Sequence, residues 1–274
     1  MEFFCSVLRD LDVQMTVPEQ FGWFHLLWIF LTVLTTVLLC VTHKMWDDKR
    51  VRRIVFITAV IVTVLEIYKQ LCLGFYFAED GTLDYEWSSF PWQFCSMPMY
   101  VGLLTGIFRK GRVHTALNAF LATYATFAGL CVMVYPGNVF IDSVGINVQT
   151  MVCHGSMVAV GVYLLYSGYV KLHHKTLFSA MTVFVVTLCN AVFLNEVIYC
   201  AGVLGGDTFN LFFVSPYFET PLPIYSWLQA NLPFPICLAA YFAAFSLAAY
   251  LVLLLAMLSK KLYKARGSIK DGTQ

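Results

Sequence analysis

Cys95 has the most chemistry to offer in this chain. A cysteine thiolate attacks acyl esters and carries the acyl group as a thioester, provided that a base takes its proton. His154 is the matching base, since imidazole exchanges protons near neutral pH. Glu66, Lys69, Gln93, Gln149, Asn190, Asn195 and Glu196 also lie inside apolar stretches, where polar groups are costly and tend to serve function. Lys69, Gln93 or Asn195 would hydrogen-bond a developing oxyanion. Glu66 or Glu196 would orient the histidine or hold Lys69 in its charged form. Each residue also has a plainer role. Glu66 and Lys69, three apart on one helix face, can neutralise each other. Gln149, Asn190 and Asn195 can be hydrogen-bond glue between helices, and a single buried histidine can be structural.

The local sequence around Cys95 predicts a helix that opens at Pro91, with Phe90 before it extended. Cys95 would then lie in the second turn, near the positive end of the helix dipole. Pro98 would leave the Phe94 carbonyl unpaired and kink the helix beside the thiol.

The elements that must hold these residues are membrane helices. Of 274 residues, 59% are hydrophobic and only 12% are charged, against about 25% charged in soluble domains. Apolar segments cover Phe21–Thr42, Ile54–Phe77, Pro91–Phe108, Val113–Val134, Ile146–Gly168, Thr176–Leu204 and Phe234–Leu258. Most are near the ~20 residues that a helix needs to cross the hydrocarbon core. None alternates as a barrel strand does. The expectation is an all-α polytopic bundle of seven transmembrane helices over residues 21–258. An extracytoplasmic segment, 1–20, would precede it and a basic cytoplasmic tail, 259–274, would follow.

Orientation follows from the basic residues. The first connection holds Lys44, Lys49, Arg50, Arg52 and Arg53, the third Arg109, Lys110 and Arg112, and the fifth Lys171 and Lys175. Lys260, Lys261, Lys264, Arg266 and Lys270 follow the last segment. Only Arg9 and Lys69 of the 17 basic residues lie elsewhere, so an odd number of spans is required, with the N-terminus outside. The acidic start (Glu2, Asp10, Asp12, Glu19) does not resemble a cleaved signal. The basic tail reads as a topology signal, so no nucleic-acid partner is expected. Trp23, Trp28, Trp87, Trp92 and Trp227 suit the outer interface and Trp46 the inner one. Cys40, Cys72, Cys95, Cys131, Cys153, Cys189 and Cys237 fall within spans, leaving Cys5 and Cys200 as the one pair that could meet outside. No CxxC or HExxH occurs, and no metal or cofactor is expected.

At about 1.5 Å of rise per residue, Lys69, His154 and Asn195 all sit roughly 12–13 Å below the outer boundary, and Cys95 roughly 6–8 Å. This shared depth predicts one polar cavity open to the outer leaflet. The loop from Gly205 to Pro233, rich in Phe, Tyr and Pro, would cover it as a lid or partly re-entrant segment. A passive interfacial loop is the alternative.

Four stretches carry a family resemblance: EIYKQL (Glu66–Leu71), FPWQFCSMPMY (Phe90–Tyr100), QTMVCHG (Gln149–Gly155) and FNLFF with the following proline (Phe209–Pro216). They resemble the YwaF-like family of integral membrane proteins, found in bacteria and related to a eukaryotic transmembrane acyltransferase of phospholipids. The resemblance implies a seven-helix bundle and a membrane cysteine that acts on acyl lipids, with Cys95 and His154 at the matching positions. Members often carry LPLHLC where this chain has FPWQFC, so Gln93 replaces a histidine that would be available for proton transfer. The implied protein is a multi-pass acyltransferase or hydrolase of the cell membrane, with a phospholipid or other acyl lipid as partner. A transporter or small-ligand binding protein would use the same cavity without covalent chemistry. A purely structural protein would use the polar residues only to hold helices together.

Overall fold

The computed structural model describes residues 12–43, 48–77, 83–137 and 139–271. Cys5, Lys44, Trp46 and most of the N-terminal segment lie outside the described residues. Six helices are long and apolar enough to cross a membrane. These are α1 (Trp23–Val41), α2 (Asp48–Lys69), α4 (Gly111–Val134), α5 (Val144–Tyr166), α6 (Lys175–Ala201) and α8 (Phe234–Asp271). A π turn, Gln70–Gly74, extends α2 and leads into a small antiparallel pair, β1 (Phe75–Phe77) and β2 (Leu83–Tyr85). A short helix, α7 (Pro223–Asn231), precedes α8. It exposes Ile224 and Trp227, side chains suited to a membrane interface.

The third apolar segment departs from expectation. Pro91 sits in a turn, Phe94–Ser96 forms a 3-10 turn, and the α-helix proper, α3, covers only Met97–Ile107. Together Phe94–Ile107 spans roughly 21 Å at 1.5 Å per residue, short of the ~30 Å hydrocarbon core. Pro98 falls in the first turn of α3. Its missing N–H has no helical partner to lose there, so it starts the helix instead of kinking it. Cys95 consequently lies in the 3-10 turn ahead of α3, not in a second α-helical turn.

The centre of the bundle is α4 and α5, which pack on each other; α1 and α2 flank α5, α6 flanks α4, and α3 lies on α2. Small residues allow the close approaches. A side chain at Gly129 of α4 would come within 2.7 Å of the His154 carbonyl of α5, and one at Gly155 within 2.5 Å of the Thr32 hydroxyl of α1. The face that each helix buries follows helical spacing. On α2 it is Val51, Val55, Ala59, Val62 and then Glu66. On α6 it is Ala180, Phe184, Leu188, Ala191 and then Asn195. In both cases the polar residue continues an apolar stripe into the core.

Candidate functional site

Glu66 anchors the first polar group. Its carboxylate forms an ion pair with Lys69 (2.7 Å) and accepts hydrogen bonds from Gln70 Nε2 (3.0 Å) and Gln149 Nε2 (3.1 Å). Three donors nearly saturate the roughly four lone-pair sites of a carboxylate, which is why this charge can be buried. Gln70 ties the group to the segment before α3: its amide donates to the Ser89 carbonyl (2.8 Å) and its Oε1 accepts from the Tyr85 hydroxyl (2.7 Å).

The second group is built from carboxamides that grip main chain. Gln93 Nε2 donates to the Asn210 carbonyl (3.2 Å) and its Oε1 accepts from the Phe212 amide (3.0 Å). Asn195 does the same to Leu211, donating to its carbonyl (3.1 Å) and accepting from its amide (2.8 Å). Asn210 in turn donates to the Glu219 carbonyl and accepts from the Ser215 amide. The loop after α6 is therefore drawn into the protein, with Phe209, Leu211 and Phe212 buried. Phe212 and Phe213 both adopt left-handed backbone conformations, φ 58° and 57°, at a cost of about 1–3 kcal/mol each. Six backbone polar groups held by the amides of Gln93, Asn195 and Asn210, and the Phe212 ring packed 5.4 Å from that of Phe94, offset this strain.

Cys95 lies between these groups. Both Lys69 and Glu66 are within electrostatic range of its thiol. The Cys153 thiol donates to the Cys95 carbonyl at 3.6 Å. His154 is buried and hydrogen-bonded through Nδ1 to the Thr150 carbonyl (2.7 Å). A carbonyl can only accept, so Nδ1 carries the proton of the neutral ring and Nε2 holds the lone pair. Among the described residues no hydrogen bond joins His154 to Cys95. A narrow apolar gap of about 30 Å³ runs past Cys153, Val62, Pro98 and Met99. It has room for about one water, so an acyl chain enters only if the helices part.

The remaining predicted residues lie elsewhere. Asn190 is exposed on the outer face of α6 and donates to the Val186 carbonyl of its own helix (2.8 Å). Glu196 is also exposed and accepts from the Tyr217 hydroxyl (2.7 Å) and the Cys200 thiol (3.4 Å). The hydrogen bond to Glu196, aided by burial, pushes the Tyr217 phenol up to about 12, so it stays a donor. The partner once considered for Cys200, Cys5, lies outside the described residues.

Cys153 and Asn210 also belong to this region, and the sequence reading does not include them in it. Cys153 had a readable signal: it is four residues beyond Gln149, on the same face of α5.

A model of the TMEM164 family matches residues 20–258 of the chain. No curated protein and no solved structure matches it.

Proposed function

The chain belongs to the TMEM164 family, and within that frame we propose that it is a membrane-embedded acyltransferase or hydrolase of acyl lipids with Cys95 as nucleophile. The observation that carries this reading is the setting of Cys95. It sits on a non-α turn ahead of a helix N-terminus, within range of the Lys69 cation and close in sequence to Gln93 and Phe94, which hold the strained loop. The motif resemblance to acyl-lipid enzymes supports the same assignment.

In this mechanism the Cys95 proton passes to His154 Nε2 and the thiolate attacks the ester carbonyl of a phospholipid or other acyl lipid. Lys69 retains two N–H groups beyond its bond to Glu66 and hydrogen-bonds the oxyanion. The carbon–oxygen bond breaks, His154 returns the proton to the leaving alcohol, and a thioester remains. An acceptor alcohol or water, deprotonated by His154, then attacks the thioester and frees Cys95. Because His154 makes no hydrogen bond to Cys95 in the resting arrangement, substrate entry must bring the two within reach, as lid motions do in other enzymes. In this reading α3 and its extended lead-in complete a seven-span bundle, N-terminus outside, in the cell membrane.

Cys95→Ser tests the proposal, because serine nearly preserves volume but is a far weaker nucleophile without a strong base. The expected outcome is normal insertion and thermal stability with acyl release or transfer from a defined phospholipid reduced at least ~100-fold. His154→Gln should do the same. Wild-type turnover by Cys95→Ser would overturn the covalent mechanism and leave ligand binding or transport through the same region.

A further inference from the structure

The opposite end of the bundle holds a cavity of about 790 Å³ that plays no part in this chemistry. Arg52 of α2, Arg109 and Lys110 between α3 and α4, Lys171 before α6 and Lys175 at its start all line it, against one carboxylate, Asp48. None of the five cations forms an ion pair among the described residues. In the sequence these residues read only as a topology signal. Loops that merely obey such a signal need not converge, yet three connections here surround one space.

Two more features of the same cavity favour an anion. The helix α4 begins at its wall, at Gly111, and its N-terminus has no side-chain cap; α6 also begins there, at Lys175, but its first N–H donates to His173 Nδ1. Free N–H groups and the positive end of the helix dipole face negative charge well. Independently, Asn118 lines the cavity at 3% exposure with its Oδ1 unpartnered, although its Nδ2 is bonded to the His114 carbonyl. A buried acceptor without a donor costs about 1–3 kcal/mol, and a ligand hydroxyl would remove that cost.

We propose that this cavity binds a phosphorylated polyol head, its phosphate among the cations and the α4 N-terminus and a hydroxyl donating to Asn118. The chemistry is that of an anionic phospholipid headgroup or of a soluble polyol phosphate. Basic pockets between membrane helices take lipid headgroups of this kind. The site is separate from Cys95, so it stands whether or not the chain is an acyl enzyme.

The test uses the purified full chain in nanodiscs of phosphatidylcholine alone and of phosphatidylcholine with phosphatidylinositol 4-phosphate. A third arm adds soluble inositol hexakisphosphate to the phosphatidylcholine discs. Binding is read by native mass spectrometry and by the shift in thermal unfolding. The expected result is bound phosphoinositide, or bound inositol phosphate, with affinity weakened at least about tenfold in Lys110→Gln/Lys175→Gln, since each lost charge-assisted contact is a strong one. Both positions are exposed, so this variant should fold; Arg52→Gln adds a partly buried one. Lipid binding alone would assign the site to the membrane, and binding of both would assign it to the headgroup whatever its source. Lys260→Gln/Lys261→Gln, in the exposed tail, should leave affinity unchanged. Binding in neither arm, or equal loss in the tail variant, would overturn the proposal.

Discussion

The two ends of the bundle treat polar groups in opposite ways. At the Cys95 end the buried charge and the carboxamides are matched by other protein groups, Glu66 by three donors and Gln93 and Asn195 by backbone donors and acceptors, although the buried Trp92 indole N–H and Tyr225 hydroxyl have no partner among the described residues. At the basic end, among the described residues, five cations stand without ion pairs around an open cavity, and a buried acceptor has no donor. Matched polarity holds a structure in place, and unmatched polarity awaits a ligand. The first end is thus a preorganised scaffold around Cys95, the proposed nucleophile, while the second has the unpaired charge that the proposed anion site requires.

The largest effect that would break this contrast lies at Glu66. Lys69→Met removes the counter-charge from a buried carboxylate and should destabilise by about 3–5 kcal/mol. Thermal unfolding of the purified protein, or folded yield, would show it. Glu66→Gln/Lys69→Met leaves no uncompensated charge and should recover most of the loss. If the double variant folds as wild type yet has lost all turnover, the pair belongs to the chemistry as well as to the scaffold. If the single variant is as stable as wild type, the Glu66 group is not matched in the sense argued here.

The clamp on the loop should give a smaller, more local effect. Gln93→Ala frees the Phe212 amide and the Asn210 carbonyl, at about 1–3 kcal/mol for groups left buried without partners. Hydrogen exchange at Leu211 and Phe212 should speed up, while exchange in α4 and α5 should not. Asn195→Ala should act on the same backbone, so the double variant should lose less than the sum of the two singles. Strict additivity would mean that the two amides hold independent structures.

Much of this architecture was legible in the sequence. Hydropathy located six long helices, because an apolar run of ~20 residues has few other folds. However, α2 begins earlier, at Asp48, and α8 runs on through the basic tail to Asp271, since charged residues there do not stop a helix. The loop after α6 was recognisable as something drawn inward. The start of α3 was not, because Pro91 and Pro98 are both compatible with a first helical turn and hydropathy cannot choose between them. Depth along the helices grouped the polar residues but carries no information about direction around the helix. Successive residues turn by about 100°, so Cys153 and His154 share a depth and face different neighbours. The apolar stripes contained the missing coordinate. Glu66 continues Val55–Ala59–Val62, and Asn195 continues Phe184–Leu188–Ala191, whereas Asn190 lies off that line. The carboxamide clamps had no sequence signature, since their partners are main-chain atoms of a distant loop.

The smallest expected effect is also the cleanest check on that reasoning about faces. Asn190 lies five residues before Asn195, about 140° away at 100° per residue, and points outward with its amide folded back on Val186. If that face meets lipid, Asn190 contributes nothing to the site and slightly opposes burial in hydrocarbon. Asn190→Leu should therefore keep full turnover and change stability by no more than about 0.5 kcal/mol, as surface substitutions usually do. Asn195→Leu, the same change on the buried face, should lose the grip on Leu211 and destabilise by several times that amount. Thermal unfolding of both variants in one lipid composition makes the comparison. Equal sensitivity at the two positions would show that Asn190 is covered by a partner, such as a second copy of the chain, and that α6 has two functional faces.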